Sequence, residues 1–137
     1  MRVDFGLYVI LTDPAAGYEI CAEAEVRAGI RYVQLRMKKV PRETILETAR
    51  SIRAITRDSG TFFIVNDDVT IAAEVEADGV HLGQDDMDID EARRIWGEEG
   101  KIFGLSTHNE KQAKKEVALY PDYIGVETVF PTPTKEI

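Results

Sequence analysis

The stretch IRYVQLRMKKVPRETILETARSIRAITRDSGTFFIVNDDV, residues 30–69, reads as strand, helix, strand. Residues 30–36 form a β-rich run. Pro41 suits a first helical position and Gly60 suits a stop. Between them Ile45, Ala49, Ile52 and Ile55 recur at helical spacing. Residues 61–65, TFFIV, are again β-rich and read as the next strand. Strands joined through a helix run parallel, so this unit predicts a parallel sheet with helices on its faces.

The same alternation extends in both directions. Upstream, residues 5–11 predict a first strand and residues 17–28 a helix closed by Gly29. Downstream, helices over 69–76, 89–96 and 110–119 alternate with strands over 79–83, 101–106 and 122–126. No linker, low-complexity run or change of composition interrupts residues 1–137, so one unit without an internal boundary is expected. An open doubly wound sheet and a (β/α)₈ barrel both satisfy the pattern, and both gather chemistry at the C-terminal ends of the strands. A barrel takes at least about 200 residues. With 137 residues and six strands, the pattern alone leans towards the open sheet.

Composition narrows the chemistry. Apolar residues at 44% and charged residues at 31% fit a globular chain, and the longest apolar run is too short to span a bilayer. A net charge of −8 argues against a nucleic-acid partner, whose binding rests on clustered Lys and Arg. It leaves room for small phosphorylated ligands, which need only a local basic pocket or a metal. Cys21 is the single cysteine, which fits a packing role and a reducing cytoplasm. No secretory signal is visible at the start of the chain.

Four strand ends carry polar clusters. In QLRMKK, Gln34, Arg36 and Lys38 alternate, so they share one face, while Val33 and Leu35 turn to the helices. A guanidinium and an ammonium there suit a phosphate or pyrophosphate, although a solvated edge strand has the same pattern. In IVNDDV, Asp68 is placed to cap the next helix, leaving Asn66 and Asp67 to hold a ligand or a hard metal. In HLGQDDMD, Gly83 allows close approach of backbone and ligand. Asp86, brought beside Asp67 by adjacent strand ends, would complete a two-carboxylate Mg²⁺ site. His81 reads as a packed, hydrogen-bonded core residue. Beyond GLSTH, with Ser106 and His108, the last cluster is VFPTPTKEI, where Thr132, Thr134 and Lys135 follow the sixth strand. Neither His has a zinc-like spacing, and no Ser-His-acid set can be argued.

In this order, QLRMK, FIVNDDV, ADGVHLGQDD, GLSTH and VFPTPTK resemble the thiamine phosphate synthase family over nearly the whole chain. The resemblance implies a TIM-type (β/α)₈ barrel, of which about six strands lie in these residues. It also implies a transferase joining hydroxymethylpyrimidine pyrophosphate to thiazole phosphate, with Mg²⁺ as cofactor. By position, it implies Gln34 on the pyrimidine; Arg36, Lys38, Asn66 and Lys135 on the pyrophosphate; and Asp67 and Asp86 on Mg²⁺. Ser106 would help place pyrimidine and pyrophosphate, and Thr132 and Thr134 would face the thiazole phosphate. Arg36, Ser106 and Lys135 are the residues expected to act in catalysis. The family reaction is dissociative: pyrophosphate leaves, and the thiazole nitrogen captures a pyrimidine-stabilised carbocation.

Two features depart from the family. Glu127-Thr128 stands where members usually carry Gly-Pro, and the family continues into strands seven and eight, with glycine-rich phosphate loops. The expected outcome is an arc with two open edges, able to pair with a second copy or a complementing fragment. Two other readings compete. Gly104, Ser106 and His108 match the G-x-S-x-H of thiazole tautomerase relatives, which generally lack the Thr-x-Thr-Lys loop. A catalytically inactive arc that binds a phosphate ligand or a partner is the other.

Overall fold

The computed structural model describes residues 6–126. The expected strand at residues 5–11 is observed as β1 (Tyr8–Leu11), and α1 (Tyr18–Arg27) follows. The opening unit of the sequence reading is β2 (Tyr32–Leu35), α2 (Arg42–Thr56) and β3 (Phe62–Asn66). Then come α3 (Val69–Glu74), β4 (Gly79–Leu82), α4 (Ile89–Trp96), β5 (Ile102–Thr107), α5 (Glu110–Val117) and β6 (Tyr123–Val126). None of these helices is long and apolar enough to cross a membrane.

Both proposed signals for α2 are displaced. Pro41 is the N-cap, not the first helical residue: its ψ of 146° is extended, and its carbonyl accepts from the Thr44 and Ile45 N–H groups. At the other end, Asp58 takes the left-handed conformation (φ 60°) ahead of Gly60, and Ser59 Oγ donates to the Thr56 carbonyl at 2.6 Å. An Asp can occupy that region because its short side chain fits there, so the helix stops before the glycine. Gly29 does close α1, with φ 76° and its N–H on Val26 O.

All five strand pairings are parallel, and the spatial order is β1-β2-β3-β4-β5-β6. A doubly wound sheet reverses direction at a switch point; this one never does. The sheet also curls. Five strand spacings of about 4.8 Å would put β1 and β6 about 24 Å apart in a flat sheet. Instead Tyr8 Oη and Tyr123 Oη, from those two strands, lie 2.6 Å apart. The chain is an α/β fold whose six parallel strands form a curled half-barrel, consistent with a TIM-like fold. The lean towards an open sheet that pattern alone gave is thereby corrected.

The curl divides each strand between two environments. Val33, Leu35, Phe63, Val65, Val80, Leu82, Phe103 and Leu105 pack outwards with Leu46, Ala49, Ile52, Ile71 and Ala92 of the helices. Tyr32, Ile64 and Ile102 face inwards, against Tyr8, Phe62 and Tyr123. This inner apolar cluster is the floor on which the polar residues nearer the strand ends stand.

Register is pinned by a device used twice. Asp78, just before β4, accepts the Phe63 N–H of β3 at 2.8 Å while its own N–H donates to Phe63 O. Asp122, just before β6, does the same with Phe103 of β5, at 2.7 Å. Asp78 also holds the mostly buried Arg53 of α2 at 2.9 Å, tying helix to sheet. Removing that carboxylate strands a backbone donor and a guanidinium. We expect Asp78→Ala to destabilise the fold by about 2 kcal/mol, read as a lower denaturant midpoint at unchanged slope.

Candidate active site

Each strand points one polar side chain into the arc, Tyr8 and Tyr123 from the first positions of β1 and β6, and the six are linked. Asn66 Nδ2 (β3) donates to Gln34 Oε1 (β2) at 2.9 Å, and Gln34 Nε2 donates to Tyr8 Oη (β1) at 2.7 Å. Tyr8 Oη meets Tyr123 Oη (β6) at 2.6 Å. Tyr123 Oη lies 2.9 Å from His81 Nδ1 (β4), whose Nε2 lies 2.6 Å from Ser106 Oγ (β5). Every strand thus contributes one member to a single chain of hydrogen bonds. Tyr8, Gln34, Arg36, Asn66, His81 and Tyr123 line a cavity of about 270 Å³ inside the arc. Burial pushes the Tyr8 phenol up to about 12 and the Tyr123 phenol well above its ordinary value, so both keep their protons.

Beside this ring stands a charged cluster. Asp67 follows Asn66 directly and is held at φ 77°, with its N–H on His81 O at 2.7 Å. That conformation is uncommon for a residue with a side chain and is stored where the surroundings fix it. Burial first, and then the neighbouring Asp86 carboxyl, push the Asp67 carboxyl up to about 6; Lys38 acts in the other direction. Lys38 Nζ is 3.6 Å from Asp67 Oδ2. Asp86 Oδ2 accepts the Gly83 N–H at 2.5 Å, and a Cβ on residue 83 would come within 2.9 Å of that oxygen. The room at Gly83 therefore admits Asp86, where the sequence suggested room for a ligand. Asp68 caps α3 as expected, accepting from Thr70 N and Ile71 N.

Two carboxyls pressed together with one offset lysine form a donor set short of positive charge. A hard divalent cation suits it: Mg²⁺ commonly takes one or two carboxylates and completes its shell with water and phosphate oxygens. Among the described residues no group of three or more His, Cys, Asp or Glu gathers.

The model of the thiamine monophosphate synthase family matches residues 7–137. The chain belongs to that family. It is 43% identical to the thiamine-phosphate synthase of Lawsonia intracellularis, covering 98% of this chain and 63% of that protein. The thiamine-phosphate synthases of Archaeoglobus fulgidus and Persephonella marina are 44% and 45% identical, over 97% and 98% of this chain and 62% and 66% of theirs. The chain therefore spans a little under two thirds of the length of these curated relatives. A solved structure titled thiamine phosphate pyrophosphorylase from Pyrococcus furiosus superposes with a TM-score of 0.77 at 33% identity, over 91% of this chain and 61% of that one.

Of the residues singled out from the sequence of this family member, Gln34, Arg36 and Asn66 line the cavity. Lys38, Asp67 and Asp86 form the charged cluster, and Ser106 is buried against His81. Thr132, Thr134 and Lys135, like Glu127-Thr128, lie outside the described residues. His108 is exposed, with its backbone N–H on Gln112 Oε1 at 2.7 Å. Tyr8 and Tyr123 were missed, whereas His81 is the packed, hydrogen-bonded core residue that the sequence suggested. The available signal was a tyrosine at an inward position of a short apolar strand, where a buried hydroxyl needs a partner.

Proposed function

We propose that the protein acts as a thiamine phosphate synthase in the cytoplasm, joining hydroxymethylpyrimidine pyrophosphate to thiazole phosphate and releasing pyrophosphate. The observation that carries this reading is the Asp67–Asp86 pair with Lys38, beside a cavity lined by Arg36, Gln34 and Asn66. The set is rich in groups that neutralise a leaving anion and poor in activated nucleophiles, as a dissociative transfer requires.

In this reading Arg36 and Lys38 balance charge as the C–O bond to pyrophosphate breaks, and Asn66 donates to its oxygens. Gln34 and Ser106 orient the pyrimidine, so that its cationic methylene forms facing the thiazole nitrogen. Thr132, Thr134 and Lys135 would hold the second phosphate and the leaving group. Asp67 and Asp86 would hold Mg²⁺, which supplies further charge neutralisation when bound.

The direct test is Mg²⁺-dependent formation of thiamine phosphate by the folded protein; no product at saturating substrates would overturn the reading. The metal assignment has a separate test. Cation binding needs both carboxyls ionised, and the Asp67 carboxyl sits at about 6. Affinity for Mg²⁺ should therefore fall about tenfold between pH 7 and pH 5, measured by calorimetry without substrates. A pH-independent affinity would remove Asp67 from the ligand set. Stability without metal runs the opposite way. The fold retains a proton that the unfolded chain loses above its ordinary value of 3.8. Stability therefore declines as pH rises from there to about 6.

A further inference from the structure

Asp67 is presented by a turn that needs outside support. Its φ of 77° and the bond from the Asp68 N–H to Asn66 O at 2.9 Å make it the centre of a γ-turn, of the rare kind with positive φ. Such a conformation persists only where the surroundings over-determine it. On one side the turn is anchored by the Asp67 N–H, which donates to His81 O at 2.7 Å. On the other side the anchor is Asp68. Its Oδ1 accepts from Thr70 N at 3.0 Å, Ile71 N at 3.1 Å and Thr70 Oγ1 at 2.6 Å. Its Oδ2 accepts from Arg42 Nε at 3.2 Å, and Arg42 Nη2 donates to Thr70 Oγ1 at 2.7 Å.

These directions are set by chemistry, since a guanidinium only donates and a carboxylate only accepts. Arg42 is the first residue of α2, so it reaches the turn from a different element. We propose that Arg42 is a positioning residue for the cation site: its guanidinium braces Asp68 and Thr70, and so holds the γ-turn that presents Asp67.

Capping of α3 does not account for this contact. The helix N–H groups are met by Asp68 Oδ1, whereas Arg42 Nε binds the other oxygen. Stability does not account for it either, because both side chains are part-exposed and such pairs add little. What the contact restricts is the direction of the turn. It also joins the loop of Lys38 to that of Asp67, whose charged groups lie 3.6 Å apart.

Charge and position predict opposite signs for the loss of Arg42. Arg42→Ala removes a positive charge near the cation and leaves Asp68 unbalanced, which by Coulomb attraction alone tightens Mg²⁺ binding. Loss of the brace loosens it.

The service to a cation rests on the proposed synthase reading, whereas the bracing of the turn does not. Two measurements on the full chain without substrates are therefore paired. By calorimetry at neutral pH, Mg²⁺ affinity should be about tenfold weaker in Arg42→Ala, the low end for groups that orient metal-holding side chains. Arg42→Lys should weaken it as well, because one ammonium keeps the charge but lacks the planar fork that spans Asp68 and Thr70. Amide hydrogen exchange should be about tenfold faster at Asp67 in both variants, as in a local opening. At Phe63, whose N–H is held by Asp78, it should be unchanged.

Unchanged or tighter Mg²⁺ binding in Arg42→Ala overturns the proposal, as does unchanged exchange at Asp67. Exchange that quickens equally at Phe63 makes Arg42 a general stabiliser and overturns it too. So does an Arg42→Lys protein that behaves as wild type, and that variant decides alone if Arg42→Ala fails to fold. A wild-type chain that binds no Mg²⁺ overturns the cation reading alone, and exchange at Asp67 then judges the brace.

Discussion

Asp67→Asn is expected to lower Mg²⁺-dependent formation of thiamine phosphate by about 10²- to 10³-fold, the scale on which losing one preorganised electrostatic partner acts. The substitution is chosen for its backbone. Asp67 sits at φ 77°, where asparagine is among the few residues tolerated, and its N–H bond to His81 O is kept. Alanine there would add strain and blur the result. What Asp67→Asn removes is the charge that Asp86 raises and Lys38 lowers in its titration. Two readouts should therefore move apart. Activity and Mg²⁺ affinity fall, while stability at pH 7 without metal rises, because a part-buried like-charge contact has gone. The residue is part-exposed, so solvent screens the gain and keeps it small. A variant within threefold of the wild-type rate would show that Asp67 is a structural carboxylate. A variant that lost both activity and stability would point to misfolding instead.

The alternation of elements was legible because periodicity and punctuation are local. Residues 30–69 announced a parallel unit, and the helix over 89–96 was placed to the residue. What the pattern could not give was curvature. An open sheet and an arc use the same strands and helices; they differ in whether β1 and β6 approach each other, which is settled by contacts more than a hundred residues apart, such as Tyr8 with Tyr123. The family resemblance supplied that choice. The α2 boundaries failed for a different reason: Pro41 and Asp58 each satisfy the chain end by a conformation that a neighbouring residue also allows.

The site divides in the same way. Its charged members could be read as a group because they lie at neighbouring strand ends. Lys38, Asp67 and Asp86 do come together. The aromatic members could not, since a tyrosine in an apolar strand reads first as packing. Their hydroxyls acquire a role only once the curl brings six strands around one cavity. Gly83 shows a subtler error: the small residue was recognised, but the group using its space is Asp86 of the same loop.

Gly104 connects the curl to the site. A Cβ at this position would lie 2.1 Å from Tyr123 Cζ and 2.5 Å from its hydroxyl oxygen, well inside any real contact. Tyr123 cannot shift by small steps, because its hydroxyl is fixed by Tyr8 and His81 and its ring stacks on His81. Gly104→Ala should therefore expel the ring and open the join between β1 and β6, lowering stability by roughly 3 kcal/mol through overpacking. The denaturant midpoint should fall accordingly. Backbone conformation gives no competing account, since Gly104 is not among the glycines with positive φ. A double-mutant cycle isolates the cause. If the penalty is the clash with Tyr123, most of it should vanish when Gly104→Ala is made in a Tyr123→Ala background, giving a coupling energy of about 2 kcal/mol. Additive effects would mean that the methyl meets something other than the tyrosine. In that case the clasp between the first and last strands would not be what holds the arc closed.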